Sequence, residues 1–504
     1  MRTTSEDAPV LLTLRQITVL ASVILATTLY STTLLVVSTI LPQMQGSFSA
    51  TSDEIAWSMT FNILATAIVT PMTGWLAARF GVRRVMVGSM SGFTAATLLC
   101  ATADSLEALI LARIVQGAFG APTTPLSQSI LLDSFPPRQH AIVLGLYGFG
   151  VVIGPVIGPI LGGIMAETYT WRWAFYVLVP VGLFSIAALH FALPADRESP
   201  RARFDWVGFV ALSVSLTAAQ YVLSRGQRLD WLASTEIVVS LLVAGLTFWI
   251  FAAHCLTSAT PFLNPRLLLN RNYAIGLVLV MIYGMLNFTP MVLLPPLLTT
   301  QAGYTDSLVG LVVAGRGSGG CIGFLFAGLV SRMDARLSIC FGFSMLLTAG
   351  LWLTSIDLNI GAGELMANAA LQGLAIGLIW VPLTATAFAT IEKGDMAQAT
   401  AVYHLMRNIG SSLFIAICVA EVVRSTGVNY SRMTEFASPF RNAFNESQAV
   451  LGLEGGDARG LARMSREIYR QASLIAYVNA FGLFTLACAA TLPMVLLMRK
   501  KERS

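Results

Sequence analysis

Apolar residues gather into fourteen long segments with short polar stretches between them. Their limits are 17–41, 54–76, 84–103, 106–132, 141–166, 173–193, 206–224, 235–256, 273–298, 307–331, 337–355, 363–391, 398–423 and 472–498. Most are near the ~20 residues that a helix needs to cross a hydrocarbon layer. The fifth and sixth are parted only by a turn around Tyr169. This pattern predicts an all-α integral membrane protein with fourteen transmembrane helices.

The fifth segment carries Gly150, Gly154, Gly158 and Gly162, with Gly163, Pro155 and Pro159 among them. Four-residue spacing puts the glycines on one helical face. In water so many helix breakers would be costly. In a bilayer, small residues let a neighbouring helix approach backbone-close, and adjacent helices re-satisfy freed carbonyls. The run reads either as a plain packing groove or as a specialised helix on which one part of the molecule rocks against another.

Composition agrees. Charged residues make up 11% of the 504, hydrophobic ones 55%, and the mean hydropathy is +0.72; soluble domains carry about 25% charge. A net charge of +5 without a basic tract argues against nucleic acid as a partner. Cys100, Cys255, Cys321, Cys340, Cys418 and Cys488 lie in or beside apolar segments without CxxC pairing. They read as packing residues, not as a metal site or disulfide framework. The first sixteen residues are polar, and the apolar run after them is too long for a signal-peptide core, so no cleavage is expected there.

Charge placement orients the chain. With both termini cytoplasmic, inner segments hold eighteen of the thirty-one lysines and arginines, and the short outer loops hold Arg172, Arg225 and Arg228. Three more lie within spans, and seven fall in a long outer loop from Arg424 to Arg470. That is the positive-inside asymmetry. The chain also echoes itself. Gln116-Gly117 with Pro125-Leu126 matches Gln372-Gly373 with Pro382-Leu383, and Gly74, Arg79 and Arg83 match Gly328, Arg332 and Arg336. Both matches are eight helices apart. The expected organisation is a cytoplasmic N-terminus (1–16), a six-helix bundle (17–193), a cytoplasmic linker (194–205) and inserted helices 7 and 8 (206–256). A second six-helix bundle follows (257–498) with its outer loop at 424–471, then a cytoplasmic tail (499–504). Repeats of this sort mark secondary transporters with a binding site between the halves.

Four stretches together resemble the major facilitator superfamily, in particular its fourteen-span drug:proton antiporters of the EmrB/QacA type. They are GWLAARFGVRR (Gly74–Arg84), LARIVQG (Leu111–Gly117), GPVIGPILGG (Gly154–Gly163) and WRWAFYVLVPVG (Trp171–Gly182). The resemblance runs over nearly the whole chain. It implies the major facilitator fold, with two six-helix bundles and two inserted helices. It also implies export of amphipathic compounds against proton influx, with a periplasmic membrane-fusion adaptor protein and, through it, an outer-membrane channel as partners.

Arg113 lies about seven residues inside the fourth segment, where a charge costs roughly 2.5–3.5 kcal/mol or more. Its readings are function or snorkelling to the interface; by resemblance it serves proton coupling, with Gln116 and Gly117 beside it. Gly74, Arg79, Gly81, Arg83 and Arg84 resemble a cytoplasmic gate latch, with Asp133 as the candidate acid; a lipid-headgroup anchor is the alternative. Ala78 stands where the family usually has an acid. Thr33 and Ser38 likewise occupy the places where relatives carry an acid and an asparagine in the first helix. No aspartate or glutamate lies deep in any expected span, so the usual titrating group is missing. His404, one turn before Arg407 in the thirteenth segment, is a substitute, since imidazole titrates near neutrality; its other reading is a hydrogen-bonded packing residue. Arg316, among four glycines, is a third cation within a span, and such an excess suits anionic or weakly acidic substrates.

Tyr30, Trp57, Phe61, Asn62, Gln128, Asn287 and Trp380 are the aromatic and amide residues expected, with Arg316, to line an adaptable and mostly apolar pocket. The 424–471 loop reads as an adaptor-docking surface or a solvated cap. An importer or facilitator of the same fold is the alternative function. An enzyme should show clustered acids, histidines or a nucleophile with its base, and none is visible. No cofactor or metal is implied, and without a GxxxxGK[ST] stretch ATP is not expected to drive transport.

Overall fold

A computed structural model of the chain describes residues 13–50, 52–137, 139–195, 204–227, 229–258, 261–330, 334–357, 360–436 and 458–495. They form fourteen helical rods: α1 (Leu14–Phe48), α2 (52–80), α3 (Val82–Ala101), α4 (106–134), α5 (His140–Thr168), α6 (173–192) and α7 (Trp206–Arg225). After these come α8 (Thr235–Thr257), α9 (Arg271–Gln301), α10 (Asp306–Val330), α11 (Ala335–Leu353), α12 (Ala362–Ala387), α13 (Met396–Phe436) and α14 (Ala458–Val495). Thirteen are long and apolar enough to cross a membrane. The other is α4, which divides into Leu106–Gly120 and Thr123–Ser134. Pro122 and Pro125 lack the N–H that would continue the ladder, yet Ala121 and Pro122 keep helical dihedrals. The two pieces therefore run on as one rod.

Side chains close the exposed helix starts, as orphan N–H groups require. Thr13 and Gln16 form a reciprocal capping box on α1, Ser105 accepts from Ala108 N at 3.1 Å, and Asn270 accepts from Tyr273 N at 3.3 Å. Between α2 and α3 the chain turns through Gly81 at φ 91°, a backbone conformation that glycine adopts without a Cβ penalty.

Two apolar cores result. Val23, Met90, Phe93, Leu126 and Phe175 belong to one, in the α1–α6 half. Phe343, Trp380, Tyr403, Phe481 and Phe484 belong to the other, in the α9–α14 half, which Leu132 of α4 and Leu144 of α5 also enter. The hairpin of α7 and α8 is pinned by the Ser215 hydroxyl donating to Ala244 O at 3.0 Å. At its base the Asp205 carboxylate accepts from the amides of Gly208 and Phe262, both at 2.9 Å, and meets His254 at 2.9 Å.

The halves repeat a particular helix crossing. In the first, α4 lies so close on α2 that a Cβ on Gly117 would strike the Asn62 carbonyl; in the second, α12 lies on α10 with Gly373 against the Arg316 carbonyl. Asn62 precedes Gly74 by the same twelve residues that separate Arg316 from Gly328, so the two crossings share one register.

Helix ends differ from the expected limits most at the fourteenth span. α13 continues to Phe436 and α14 starts at Ala458, so much of the loop expected at 424–471 is helix. Arg441, Glu446, Glu454 and Asp457 of that loop lie outside the described residues, as do Arg332, residues 1–12 of the N-terminus, most of the 194–205 linker and the tail from 496.

A polar layer between two halves

The halves touch at one end of the bundle, the end where α1 begins. There Gly74 of α2 sits on Gln398 of α13, its Cβ position 2.8 Å from the Gln398 Cα. Along α5, Gly148 meets Phe324 of α10, Val152 meets Gly320 and Val156 meets Gly317. Further along the same faces contact ceases: Ile160 is exposed, and nothing lies within 4 Å of a Cβ built on Gly310. Trp57 and Phe61 of α2 are exposed in that far half as well, with the Arg225 guanidinium 5.6 Å from the Trp57 ring.

Three intramembrane cations sit in the layer between these ends. Arg113 is 1% exposed. It donates to the Gln116 Oε1 one turn on, and Gln116 passes the chain to the Thr97 hydroxyl at 2.7 Å. Asn62 Nδ2 donates to the Arg113 carbonyl at 2.7 Å, tying α2 to α4. Arg316 does the matching work in the second half: it donates to Gln372 Oε1, and to the backbone and side-chain oxygens of Asn287 at 2.6 and 3.1 Å. Gln372 continues to Asn368 at 2.7 Å, and Asn368 to Ala349 O at 2.9 Å. Arg407 is half-buried and lies over Trp380, its guanidinium 5.5 Å from the ring.

The His404 ring lies tilted beside Trp380, 5.9 Å away. Its Nε2 is 2.6 Å from Gln128 Oε1 of α4, both residues being buried. This hydrogen bond joins the two halves, and both His404 Nδ1 and Gln128 Nε2 are left without a hydrogen-bond partner among the described residues. In such an apolar setting an unmet polar atom costs about 1–3 kcal/mol, so the site holds unused hydrogen-bonding capacity. Among the described residues the polar side chains buried in this layer are arginines, amides, hydroxyls and the His404 imidazole, and no ion pair joins Arg113 or Arg316 to a carboxylate. Thr33, where an acid was the family expectation, donates to its own helix at Leu29 O, 2.9 Å away. The side chain of Ser38 lies outside the described residues.

The remaining expected residues separate into groups. Tyr30 is packed edge-on to Phe93, 5.8 Å away, against Gly120. Arg83 donates to the His190 carbonyl at 2.5 Å, bracing the α2–α3 turn on α6. Arg79 lies in the last turn of α2, Arg84 is exposed, and Asp133 lies at the same end of α4. The glycine face of α5 packs otherwise than the rocking role required. Gly154 lies on the Thr28 carbonyl, Gly158 on that of Thr32 and Gly162 on that of Val36, their Cβ positions 2.7, 2.8 and 3.1 Å away. Gly150 O accepts from the Thr28 hydroxyl at 2.8 Å, and Gly163 is nearest Thr39. All of these belong to α1, so the groove fastens two helices of one half. The surface between halves is instead Gly148, Val152 and Val156. Pro155 and Pro159 fall in the same helix.

Sequence reading missed Gln398, Thr97, Asn368 and the phenols of Tyr147 and Tyr283, which lie within electrostatic range of Arg407. Gln372 had a signal, its place in the internal repeat. The phenols had none, because aromatic residues are common in every span.

Two pseudo-repeated helical halves around a buried polar layer define a multi-pass membrane transport protein. Residues 23–415 match the Major Facilitator Superfamily, and the chain belongs to that family. It is 28% identical over 448 residues to "Multidrug export protein EmrB" of Escherichia coli K12, covering 88% of this chain and 87% of that one. To "Fatty acid resistance protein FarB" of Neisseria gonorrhoeae it is 27% identical over 465 residues, covering 91% of each. The solved structure of the human organic anion transporter MFSD10 superposes with a TM-score of 0.60 at 13% identity, covering 94% of this chain and 99% of that one; it attests the fold.

Proposed function

We propose that the protein is a secondary active transporter that exports amphipathic drugs or toxic compounds from the cytoplasm or inner leaflet by alternating access, driven by proton influx. One observation carries the reading: the halves are bridged at one end by Gly74–Gln398 and His404–Gln128 and parted at the other. With the arginine-rich loops placed inside, the bridged end is cytoplasmic and the parting of the halves faces outward. Substrate loading then requires the opposite arrangement, and the His404–Gln128 bridge must break. Protonation of His404 turns its free Nδ1 into a second donor, which alters that bridge and couples the proton to the rocking of the halves. Arg113 and Gln116 hold the first half's side of the layer, and Arg407 presents positive charge to the substrate beside Trp380. Arg79, Arg83, Arg84 and Asp133 serve as the inner latch.

The kinship to EmrB supports a cell inner-membrane location, cytoplasmic termini and a partnership with a membrane-fusion adaptor and an outer-membrane channel. The far ends of α13 and α14 supply a docking surface. α13 has 41 residues and α14 has 38, roughly 60 Å each and twice the hydrocarbon thickness. Their overhangs stay paired beyond it, through Tyr430 and Ser465 at 2.9 Å.

Purified protein in liposomes with an imposed pH gradient tests the core of this reading. Accumulation of a fluorescent amphipath should follow the gradient and vanish with an uncoupler. Transport that ignores both would establish the facilitator instead.

A further inference from the structure

Gln398 of α13, against which Gly74 of α2 rests, makes a second contact at the bridged end. Its Nε2 donates to the Phe262 carbonyl at 2.9 Å. Phe262 is buried and lies in the connection from α8 to α9. Its amide is held from the other side by Asp205 Oδ2, also at 2.9 Å. One residue thus has its N–H bound to the start of α7 and its C=O bound to the second half.

Aromatic rings complete the circuit. Phe262 packs on Phe204 with centroids 5.9 Å apart, and Phe204 packs on Trp75 at 4.5 Å. Trp75 directly follows Gly74. The path from Gly74 through Trp75, Phe204, Phe262 and Gln398 returns to Gly74. Helices α2 and α13 are therefore joined twice, once directly and once through the base of the hairpin. Drawing them apart must break this ring as well as the direct contact.

The carboxylate at residue 205 exceeds what its own helix needs. Capping α7 takes one oxygen, and Oδ1 does it by accepting from Gly208 N at 2.9 Å, beside His254 Nε2 at the same distance. Serine or asparagine caps a helix as well. The second oxygen goes to Phe262, and a backbone N–H on a carboxylate makes a charge-assisted bond, stronger than a neutral one. It fixes the residue whose carbonyl Gln398 reaches.

We propose that Asp205 is a positioning residue for the transport cycle: through Phe262 it holds Gln398 and stabilises the state closed at the bridged end, so that the α7–α8 hairpin takes part in gating. The assignment rests on the alternating-access reading. Its test reads distances with neither substrate nor gradient, so failed export leaves the test standing and a failed test leaves export standing.

Full-length protein in a cysteine-free background is placed in nanodiscs with spin labels at two exposed positions. One pair is Ala78→Cys with Ala389→Cys at the bridged end, the other Ile160→Cys with Leu311→Cys at the parted end. Asp205→Ser keeps a capping oxygen but leaves none for Phe262. It should raise the population with long bridged-end distances about tenfold, the loss expected for one hydrogen bond to a charged group, while parted-end distances shorten. Asp205→Asn, with one accepting oxygen for two amides, should shift it in the same direction. Gln398→Leu removes the donor on the other side of Phe262 and should act like Asp205→Ser. The double variant should shift no further than either alone, since both changes break one link. A role confined to capping would lower the melting temperature and leave every distance as in the wild type, which would overturn the proposal. Additive shifts would overturn it too, as would lengthening at the bridged end without shortening at the other, the mark of local fraying.

Discussion

His404 bonds to a residue of the opposite half, and among the described residues one of its ring nitrogens has no partner; in the proposed cycle its protonation and the contact between halves are linked. His404→Gln keeps an amide that can bond Gln128 but cannot titrate. Export driven by a pH gradient should fall about tenfold, equivalent to ~1.4 kcal/mol in the coupled step, and lose its pH dependence while the protein stays folded. Liposome flux across a pH series measures both. Arg113→Lys is a second residue-level test. Lysine retains the charge but not the planar fork that reaches Gln116, so export should drop tenfold or more with little change in melting temperature. Full export in either variant would remove that residue from the coupling scheme.

At the scale of helices, two sets of contacts on α5 have different consequences. Gly158 rests on backbone of α1, and backbone cannot swing aside. Gly158→Leu should lower the melting temperature in detergent, since such overpacking costs about 1–3 kcal/mol. Gly148 rests on the Phe324 ring, across the boundary between halves. Gly148→Leu should leave the melting temperature near wild type and favour separation of the halves at the α1-start end, read as longer distances between spin labels there. Spacing in the sequence revealed that α5 has a close-packed face. It did not reveal which helix fills it, because four-residue periodicity is the same for a partner in either half. The fourth segment reads in the sequence as one apolar run, whereas its helix divides at Pro122 into two pieces, each shorter than a span. The length of α13 was not legible, because its overhang past Glu421 is polar and reads as loop.

For the molecule as a whole, the all-helical membrane fold was legible from the number and length of the apolar segments. The polar layer was only half legible. Arg113, Arg316 and His404 stand out as costly residues in apolar surroundings, but which of them face each other depends on packing between residues some 50 to 280 apart. One test acts on the entire assembly. In a cysteine-free background, Gly74→Cys with Gln398→Cys places two thiols where the halves meet, the built Cβ at residue 74 lying 2.9 Å from that of Gln398. Oxidation should lock that end and reduce export at least tenfold, and a reductant should restore it. Undiminished export in the oxidised form would show that this contact does not open during the cycle.

The hairpin of α7 and α8 leans on α2 and α13, the pair that flanks one side of the divide between halves, and Asp205 clips its base to Phe262. Among the described residues no comparable hairpin stands beside α5 and α10. The molecule is therefore lopsided toward the surrounding lipid: one flank is shuttered and the other is bare. Any cargo that entered sideways from the bilayer would meet α7 and α8 on one flank and the unshielded seam of α5 and α10 on the other.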